Sequence, residues 1–271
     1  VDLGALWDKG ELDALLAEVR GKITGDTPPQ IDKAAELQAK YGTALGQVWE
    51  LGPHRVACGD CTDRAVVESV MRGEKADCLM MDPPYGMKLD ASYPNSTGNS
   101  NKGIKRSKGY KPVIGDNLEY NPTSLLNLFS YVDEQFWWGA DYYRQHLPRG
   151  GSWIVWDKRH TIEGVKYSLS EFELCWSKTS HHRFILRVPW FGAIGTEKQD
   201  TQNRLHPTQK PLGVYEPLIK KYGKEIILDS FLGSGTTLIA CHNLGRRCRG
   251  IEIDPGYVAV CLERFYTHSN I

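Results

Sequence analysis

The stretch from Ile226 to Gly245 limits the fold more than any other part of the chain. Ile226-Ile227-Leu228 is a short apolar run with the length and branching of a buried strand. It ends on Asp229, passes through Ser230-Phe231-Leu232-Gly233-Ser234-Gly235, and enters an apolar run over 236–244 that Gly245 closes. A glycine just past the last periodic residue is a helix stop, so the second run is expected to be helical. Strand, glycine-rich turn and helix in that order make one unit of an α/β sheet. The alternation recurs. Strands are expected at 55–58, 78–81, 152–156, 172–176 and 249–253, and helices at 66–71, 125–143 and 258–265. The fold class is therefore α/β: a doubly wound, mostly parallel sheet with helices on both faces.

Ahead of this pattern, residues 1–48 are expected to form a helical N-terminal appendage or linker, and 49–271 the main domain. Leu12, Leu15, Leu16 and Val19 line one helix face, with Asp8 and Glu11 at capping-box spacing before them. Residues 25–29 break that helix; Asp32 is expected to cap a second, which Gly42 ends. Residues 86–117 are rich in Gly, Ser, Asn and Lys and show no periodicity. A loop of that length in a compact domain is functional or disordered. The chain balances 33 Lys and Arg against 33 Asp and Glu, which argues against a uniformly basic nucleic-acid binder. The neutral total conceals a local basic surface. Lys88, Lys102, Lys105, Arg106, Lys108 and Lys111 fall in one segment with the single acid Asp90. No run of eighteen apolar residues occurs, so no membrane span is expected, and the N-terminus lacks a signal-peptide pattern. Seven scattered cysteines argue against a disulfide framework and for a cytoplasmic location.

Two constellations carry chemistry. In the first, glycines let backbone approach a ligand closely and the following helix offers free N–H groups. Glu252, at the end of the next expected strand, is placed to bond ribose hydroxyls. The third glycine of a dinucleotide fingerprint is missing, since position 238 is Leu238, and no Gly-Lys-Ser/Thr follows. A ribose acid without phosphate features suits a nucleoside cofactor lacking a pyrophosphate, of which S-adenosylmethionine is one; a plain helix-entry turn is the alternative. In the second, a strand delivers Asp82, followed by Pro83, Pro84 and Tyr85. The prolines stiffen the chain and lack N–H groups, which leaves carbonyls facing outward. An acid, an outward carbonyl and an aromatic ring can hold an exocyclic amino group; the alternative is a proline turn with a surface tyrosine.

Asp82-Pro83-Pro84-Tyr85, then His206-Pro207-Thr208-Gln209-Lys210-Pro211, then 229–237, then Gly250-Ile251-Glu252-Ile253-Asp254, in that order, resembles the permuted beta-group of DNA amino-methyltransferases. The resemblance runs from about Trp49 to the C-terminus and takes in Gly59-Asp60, Trp138-Gly139-Ala140-Asp141 and Trp153-Ile154-Val155-Trp156-Asp157-Lys158. Ser230 departs from it, where proline is more usual. The resemblance implies a circularly permuted, Rossmann-like methyltransferase fold with the cofactor half last in the chain. It implies that Asp229, Phe231, Gly233, Ser234, Gly235 and Thr236 line the S-adenosylmethionine site, that Glu252 takes the ribose and Asp60 the adenine, and that Thr208 and Lys210 close over the methionine end. Asp82 and the Pro83 carbonyl would accept from the target amino group, with Pro84 stiffening the motif and Tyr85 stacking on a base flipped out of double-stranded DNA. Asp at the first motif position favours adenine N6; cytosine N4, or a catalytically silent DNA-binding subunit on the same fold, are the alternatives.

DNA contact is expected from Lys102, Lys105, Arg106, Lys108 and Lys111, and from Arg183, Arg187 and Arg204 in a short target-recognition region, 177–205. A region so short implies a small site or relaxed sequence preference. Residues 30–61 resemble the junction of phage and bacterial proteins that fuse a ParB-like domain to this enzyme, so such a domain, or a homodimer partner, is an expected neighbour of the N-terminal segment. Cys58 and Cys61 have C-x-x-C spacing, but no second pair matches it, so no metal is expected. Trp137, Trp138, Trp153, Trp156 and Trp176 are expected in the core.

Overall fold

The computed structural model describes residue 27 and residues 29–85, 114–115, 119–159, 170–188 and 210–269. A 3-10 turn, Ile31–Lys33, leads into α1, Ala34–Tyr41. Strands β1, Val48–Leu51, and β2, His54–Cys58, form a hairpin. Helix α2, Arg64–Met71, follows; its N-cap Asp63 accepts from the Ala65 N–H at 2.8 Å, a contact worth about 1 kcal/mol. Then come β3, Cys78–Met81; α3, Thr123–Leu128; β4, Glu134–Trp138; β5, Ser152–Asp157; β6, Phe172–Ser177; and β7, Phe184–Arg187. The last third holds α4, Leu212–Tyr222; β8, Ile226–Asp229; α5, Thr236–Asn243; β9, Arg247–Glu252; and α6, Pro255–Ser269.

Among the described residues nine strands form one sheet in the order β1-β2-β9-β8-β3-β4-β6-β5-β7. β2, β9, β8, β3 and β4 are mutually parallel; β6 runs antiparallel between β4 and β5, β1 is antiparallel to β2, and β7 is parallel to β5. The strands alternate their burial between two cores, as a period of two requires. Cys78 and Met80 of β3, Phe136 and Trp138 of β4, and Ile227 of β8 face α4, α5 and α6. Leu79, Met81, Trp137 and Leu228 face α2 and α3. Leu79, Met80 and Met81 have no exposed surface, and each contributes about 1.5–3 kcal/mol by leaving water.

Chain order reverses between β8 and β3. From β8 the chain moves through α5 to β9 on one side; from β3 it moves through α3 to β4 on the other. The connections leave the two strands on opposite faces of the sheet, so a crevice opens beyond their carboxyl ends.

The region expected to be one helix, 125–143, is not. Helix α3 stops at Leu128, and β4 begins at Glu134. The Gln135 side chain donates to the Phe129 and Val132 carbonyls at 2.9 and 2.8 Å and closes the intervening turn. Phe136, Trp137 and Trp138 then bury on alternate faces, a pattern that bulky aromatics satisfy in a strand. Residues 34–48, part of the expected N-terminal appendage or linker, rest on the sheet domain. Ile31 and Leu37 pack on Ala259 and Val260 of α6, Lys40 and Tyr41 reach Glu263 at 2.6 and 2.7 Å, and Val48 is already the first residue of β1. Gly42 ends α1 in the left-handed conformation, φ +64°, as its position implies. The helix expected at 12–19 lies outside the described residues.

Candidate active site

Five strand ends deliver acids or glycine-flanked turns to one edge. β2 ends before Gly59-Asp60, β9 on Glu252, β8 on Asp229, β3 before Asp82, and β4 before Gly139. A cleft of about 950 Å³ runs along this edge, and all of Asp60, Asp82, Asp229 and Glu252 line it.

On the β8–β9 side the cleft is made by backbone. Gly233 and Gly235 take φ of +54° and +86°, where a side chain is strained. At Gly235 space also forbids one, since a Cβ would sit 2.5 Å from Cys261 Sγ. The carboxylates are held by three main-chain N–H donors and one hydroxyl. Asp229 Oδ1 accepts from the Phe231 N–H at 2.9 Å and Oδ2 from Thr237 Oγ1 at 2.5 Å. Glu252 Oε2 accepts from the Gly233 N–H and Oε1 from the Asp254 N–H, both at 2.8 Å. Burial pushes each of these two acids up to about 7, against the pull of those donors. Ser234 and Thr236 are buried, and Arg264 Nη1 ties the Ser234 carbonyl and Thr236 Oγ1 together at 2.9 and 3.2 Å. Asp60 is exposed at the cleft rim, where Oδ1 accepts from the Thr62 N–H and hydroxyl at 2.8 and 2.7 Å.

On the β3 side the cleft is made by side chains. The Tyr85 hydroxyl donates to Asp82 Oδ1. The Lys210 ammonium donates to the same oxygen at 2.5 Å and to the Tyr85 hydroxyl at 2.9 Å. Asp82 Oδ1 is thus occupied twice, while no described residue donates to Oδ2. Lys210, 5% exposed, also pairs with Glu173 Oε2 at 3.2 Å, and Glu173 Oε1 accepts from Lys158. Burial raises the Asp82 carboxyl above its usual range, with Lys210 opposing. Burial depresses Lys210, but Asp82 and Glu173 outweigh it and leave its pKa raised. The Tyr85 ring lies parallel to Tyr142, centroids 5.5 Å apart and planes 8° apart. It also lies against Gly139, φ +63°, where any Cβ would enter the ring. Pro83 is buried, and Pro84 and Pro83 both line the cleft.

Of the expected site residues, Asp60, Asp82, Pro83, Pro84, Tyr85, Lys210, Asp229, Phe231, Gly233, Ser234, Thr236 and Glu252 line the cleft. Lys210, expected over a cofactor's methionine end, lines the cleft and pairs there with Asp82 and Glu173, the counter-charges that a buried ammonium requires. Arg183 and Arg187 are exposed, just before and at the end of edge strand β7, and do not line the cleft. Thr208, Arg204 and the basic series Lys102, Lys105, Arg106, Lys108 and Lys111 lie outside the described residues. Cys58 and Cys61 are free and buried, with thiols pushed by burial up to about 11 and about 12, and no metal-binding group of side chains occurs among the described residues. No described helix is long and apolar enough to cross a membrane. Sequence reasoning missed Glu173, Tyr142 and Ile31 as cleft residues. For Glu173 a signal existed, an acid inside an otherwise apolar and aromatic strand, Phe172-Glu173-Leu174-Cys175-Trp176.

Residues 155–263 match the family model N6_N4_Mtase, DNA methylase. That segment runs from β5 into α6 and contains Glu173, Lys210, the glycine turn and Glu252. Among curated relatives, "Putative methylase YubD" of Escherichia coli (strain K12) is 25% identical over 205 residues, 73% of this chain and 84% of that protein. Type II methyltransferase M2.MboI of Moraxella bovis is 28% identical over 156 residues, 57% of this chain and 54% of that protein. Type II methyltransferase M2.DpnII of Streptococcus pneumoniae is 40% identical over 77 residues, 28% of each. The solved structure of PvuII DNA methyltransferase (cytosine-N4-specific) covers 84% of this chain and 94% of its own, at 15% identity and a TM-score of 0.47.

Proposed function

We propose that this chain is an S-adenosylmethionine-dependent DNA methyltransferase that methylates the N6 amino group of an adenine extruded from the duplex. The observation that carries this reading is the meeting of two sequence-distant motifs. Asp82-Pro83-Pro84-Tyr85 leaves β3, the glycine turn leaves β8, those strands are neighbours, and both ends line one cleft. The target-side strand comes first in the chain and the glycine-turn strand late, the swapped order of the permuted group.

The donor set of the β8–β9 side fits the cofactor. Glu252 keeps lone pairs on both oxygens beyond the two backbone donors and accepts from ribose hydroxyls. Phe231 and Asp60 supply a ring face and an acceptor for adenine. The bases lining the cleft, Lys158 and Lys210, are both paired with acids on the opposite side. Among the described residues no other base lines the cleft to favour a pyrophosphate at the glycine turn; Arg264 reaches that turn but does not line the cleft. When bound, S-adenosylmethionine supplies a methyl group on a sulfonium, a good leaving group that requires no covalent enzyme intermediate.

The chain's own task is positioning, which can supply ~7–11 kcal/mol when reacting atoms are aligned. An aromatic amine is a weak nucleophile because its lone pair is delocalised into the ring. Asp82 Oδ2 and the Pro83 carbonyl accept its two N–H bonds and bias the nitrogen toward a tetrahedral shape. Tyr85, braced on Gly139 and flanked by Tyr142, stacks on the base. Extraction of the base from the duplex costs a few kcal/mol, offset by those stacking and acceptor contacts. Arg183 and Arg187, with the basic segment 102–111, take the phosphates.

Incubation with labelled cofactor and duplex DNA, followed by nucleoside chromatography, tests the reading. Label in N6-methyladenine is expected; label in N4-methylcytosine overturns the base assignment, and unlabelled DNA overturns the activity. Asp82→Ala is expected to lower single-turnover transfer by at least about a hundredfold, while cofactor affinity stays within about twofold.

A further inference from the structure

Four buried or half-buried charges alternate in sign across the target side of the cleft, each from a different element. Asp82 follows β3, Lys210 precedes α4, Glu173 lies on β6 and Lys158 follows β5. The Lys210 ammonium donates to Asp82 Oδ1 at 2.5 Å and to the Tyr85 hydroxyl at 2.9 Å, and pairs by charge with Glu173 Oε2 at 3.2 Å, an oxygen that has no hydrogen-bond partner among the described residues. Lys158 holds Glu173 from the far side through Oε1. Without Glu173 the Lys210 ammonium would lose one of its two counter-charges and close fully onto Asp82. There it would compete with an incoming amino group for the same carboxylate.

We propose that Glu173 is a positioning residue for the transfer: held by Lys158, it anchors Lys210 so that the ammonium caps Asp82 Oδ1 and leaves Oδ2 facing the substrate. The role rests on the methyl-transfer reading above. Glu173 itself need touch neither base nor cofactor. It acts through Lys210 on the orientation and charge of the acceptor. It also keeps the cluster neutral, with two acids against two bases, beside a polyanionic substrate.

The other titratable groups facing this cluster are weakly placed to replace it. Asp141, Tyr142 and Tyr143 approach from the turn after β4, and burial raises all three. Cys175 on β6 and Tyr215 on α4 are buried and likewise raised, as is Asp229 across the cleft. None of them is within hydrogen-bond distance of Lys210 among the described residues. Lys158 and Lys210 hold Glu173 below its usual range against the push of burial, so it is ionised through the working range of the enzyme.

The sign of the charge makes the role testable. Glu173 raises the pKa of both Asp82 and Lys210. Glu173→Gln should therefore move both limbs of the pH profile of single-turnover transfer to lower pH. Lys158→Gln leaves the negative charge of Glu173 less neutralised and should move both limbs to higher pH. At the wild-type optimum, Glu173→Gln should also lower the transfer rate roughly tenfold, the scale of one lost partner of a charged group, with cofactor affinity within about twofold. Titration of the Lys210 ammonium by nitrogen-15 NMR in the three proteins reads the same shifts without turnover, and thermal unfolding checks that each variant is folded. Opposite shifts in the two variants, seen in both readouts, support the role. Limbs that stay in place, or move in the same direction, in proteins that transfer methyl overturn it. A wild type whose Lys210 titrates as expected, yet which transfers no methyl to any DNA, overturns the reaction assigned above and this role with it, while leaving the ion-pair linkage standing.

Discussion

The two walls of the cleft are built from different materials. On the β8–β9 wall, the acids Asp229 and Glu252 are satisfied mainly by main-chain N–H groups two to nineteen residues away, and the shape comes from two glycines at positive φ. On the β3 wall, Asp82 is satisfied by Tyr85, three residues on, and by Lys210, 128 residues away, and Lys210 is balanced in turn by Glu173. The first wall is local in sequence and rigid by backbone geometry. The second is assembled over long distances and depends on charge balance. A wall that only receives a ligand can be made of backbone. A wall that must present one carboxylate oxygen to a reacting nitrogen has its rotamer and charge set by other side chains.

The sharpest way to break this contrast is to place a side chain where the second wall leans on backbone. Gly139→Val puts a Cβ into the Tyr85 ring at φ +63°. Tyr85 must then move, and transfer should fall by about a hundredfold or more while cofactor affinity, measured by calorimetry, holds. If transfer survives, the Tyr85 position is not what the second wall needs.

The first wall responds to pH in its own way. Glu252 and Asp229 have folded pKa values near 7, raised above their unfolded values. Their contribution to the stability of the ligand-free protein is therefore fully present below about pH 4 and is lost as pH rises through 7. The slope is up to about 1.4 kcal/mol per unit for each group. Unfolding in urea between pH 5 and 8 should show stability declining, after allowance for other groups. Cofactor binding should tighten over the same range by roughly tenfold, because the ionised Glu252 is the better acceptor for ribose hydroxyls. Replacing Glu252 with Gln should flatten the binding curve.

The smallest expected effect belongs to neither wall. Arg183→Ala and Arg187→Ala should each reduce DNA affinity a few-fold and lower the slope of log affinity against log salt by about one, with the transfer rate of bound DNA unchanged. A change in that rate would extend the target wall to β7.

The contrast also explains what was legible in the sequence. The ends of β3, β8 and β9 were, because each is a continuous apolar run that stops on or just before an acid or glycine. The motif residues Asp82, Tyr85, Asp229 and Glu252 followed directly. Strand β4 was hidden because Leu125, Leu126 and Leu128 carry a helical spacing up to the turn, and the aromatic run after it fits either period. β1 and β7 are edge strands of four residues with little apolar alternation to mark them. α4 carries Pro217 in its interior, which reads as a helix breaker. The partnership of Lys210 with Asp82 and Glu173 had no local signal at all. It depends on β6 lying beside β4, a pairing that puts the start of an antiparallel strand at the carboxyl edge of its neighbours.

Arg264 gives the glycine turn a mechanical connection. Its Nε donates to the Thr27 carbonyl at 2.6 Å, while Nη1 holds the Ser234 carbonyl. A pull applied upstream of residue 27 is therefore delivered to the loop beneath Gly233 before it reaches the sheet. Residue 27 is a lever on the glycine turn.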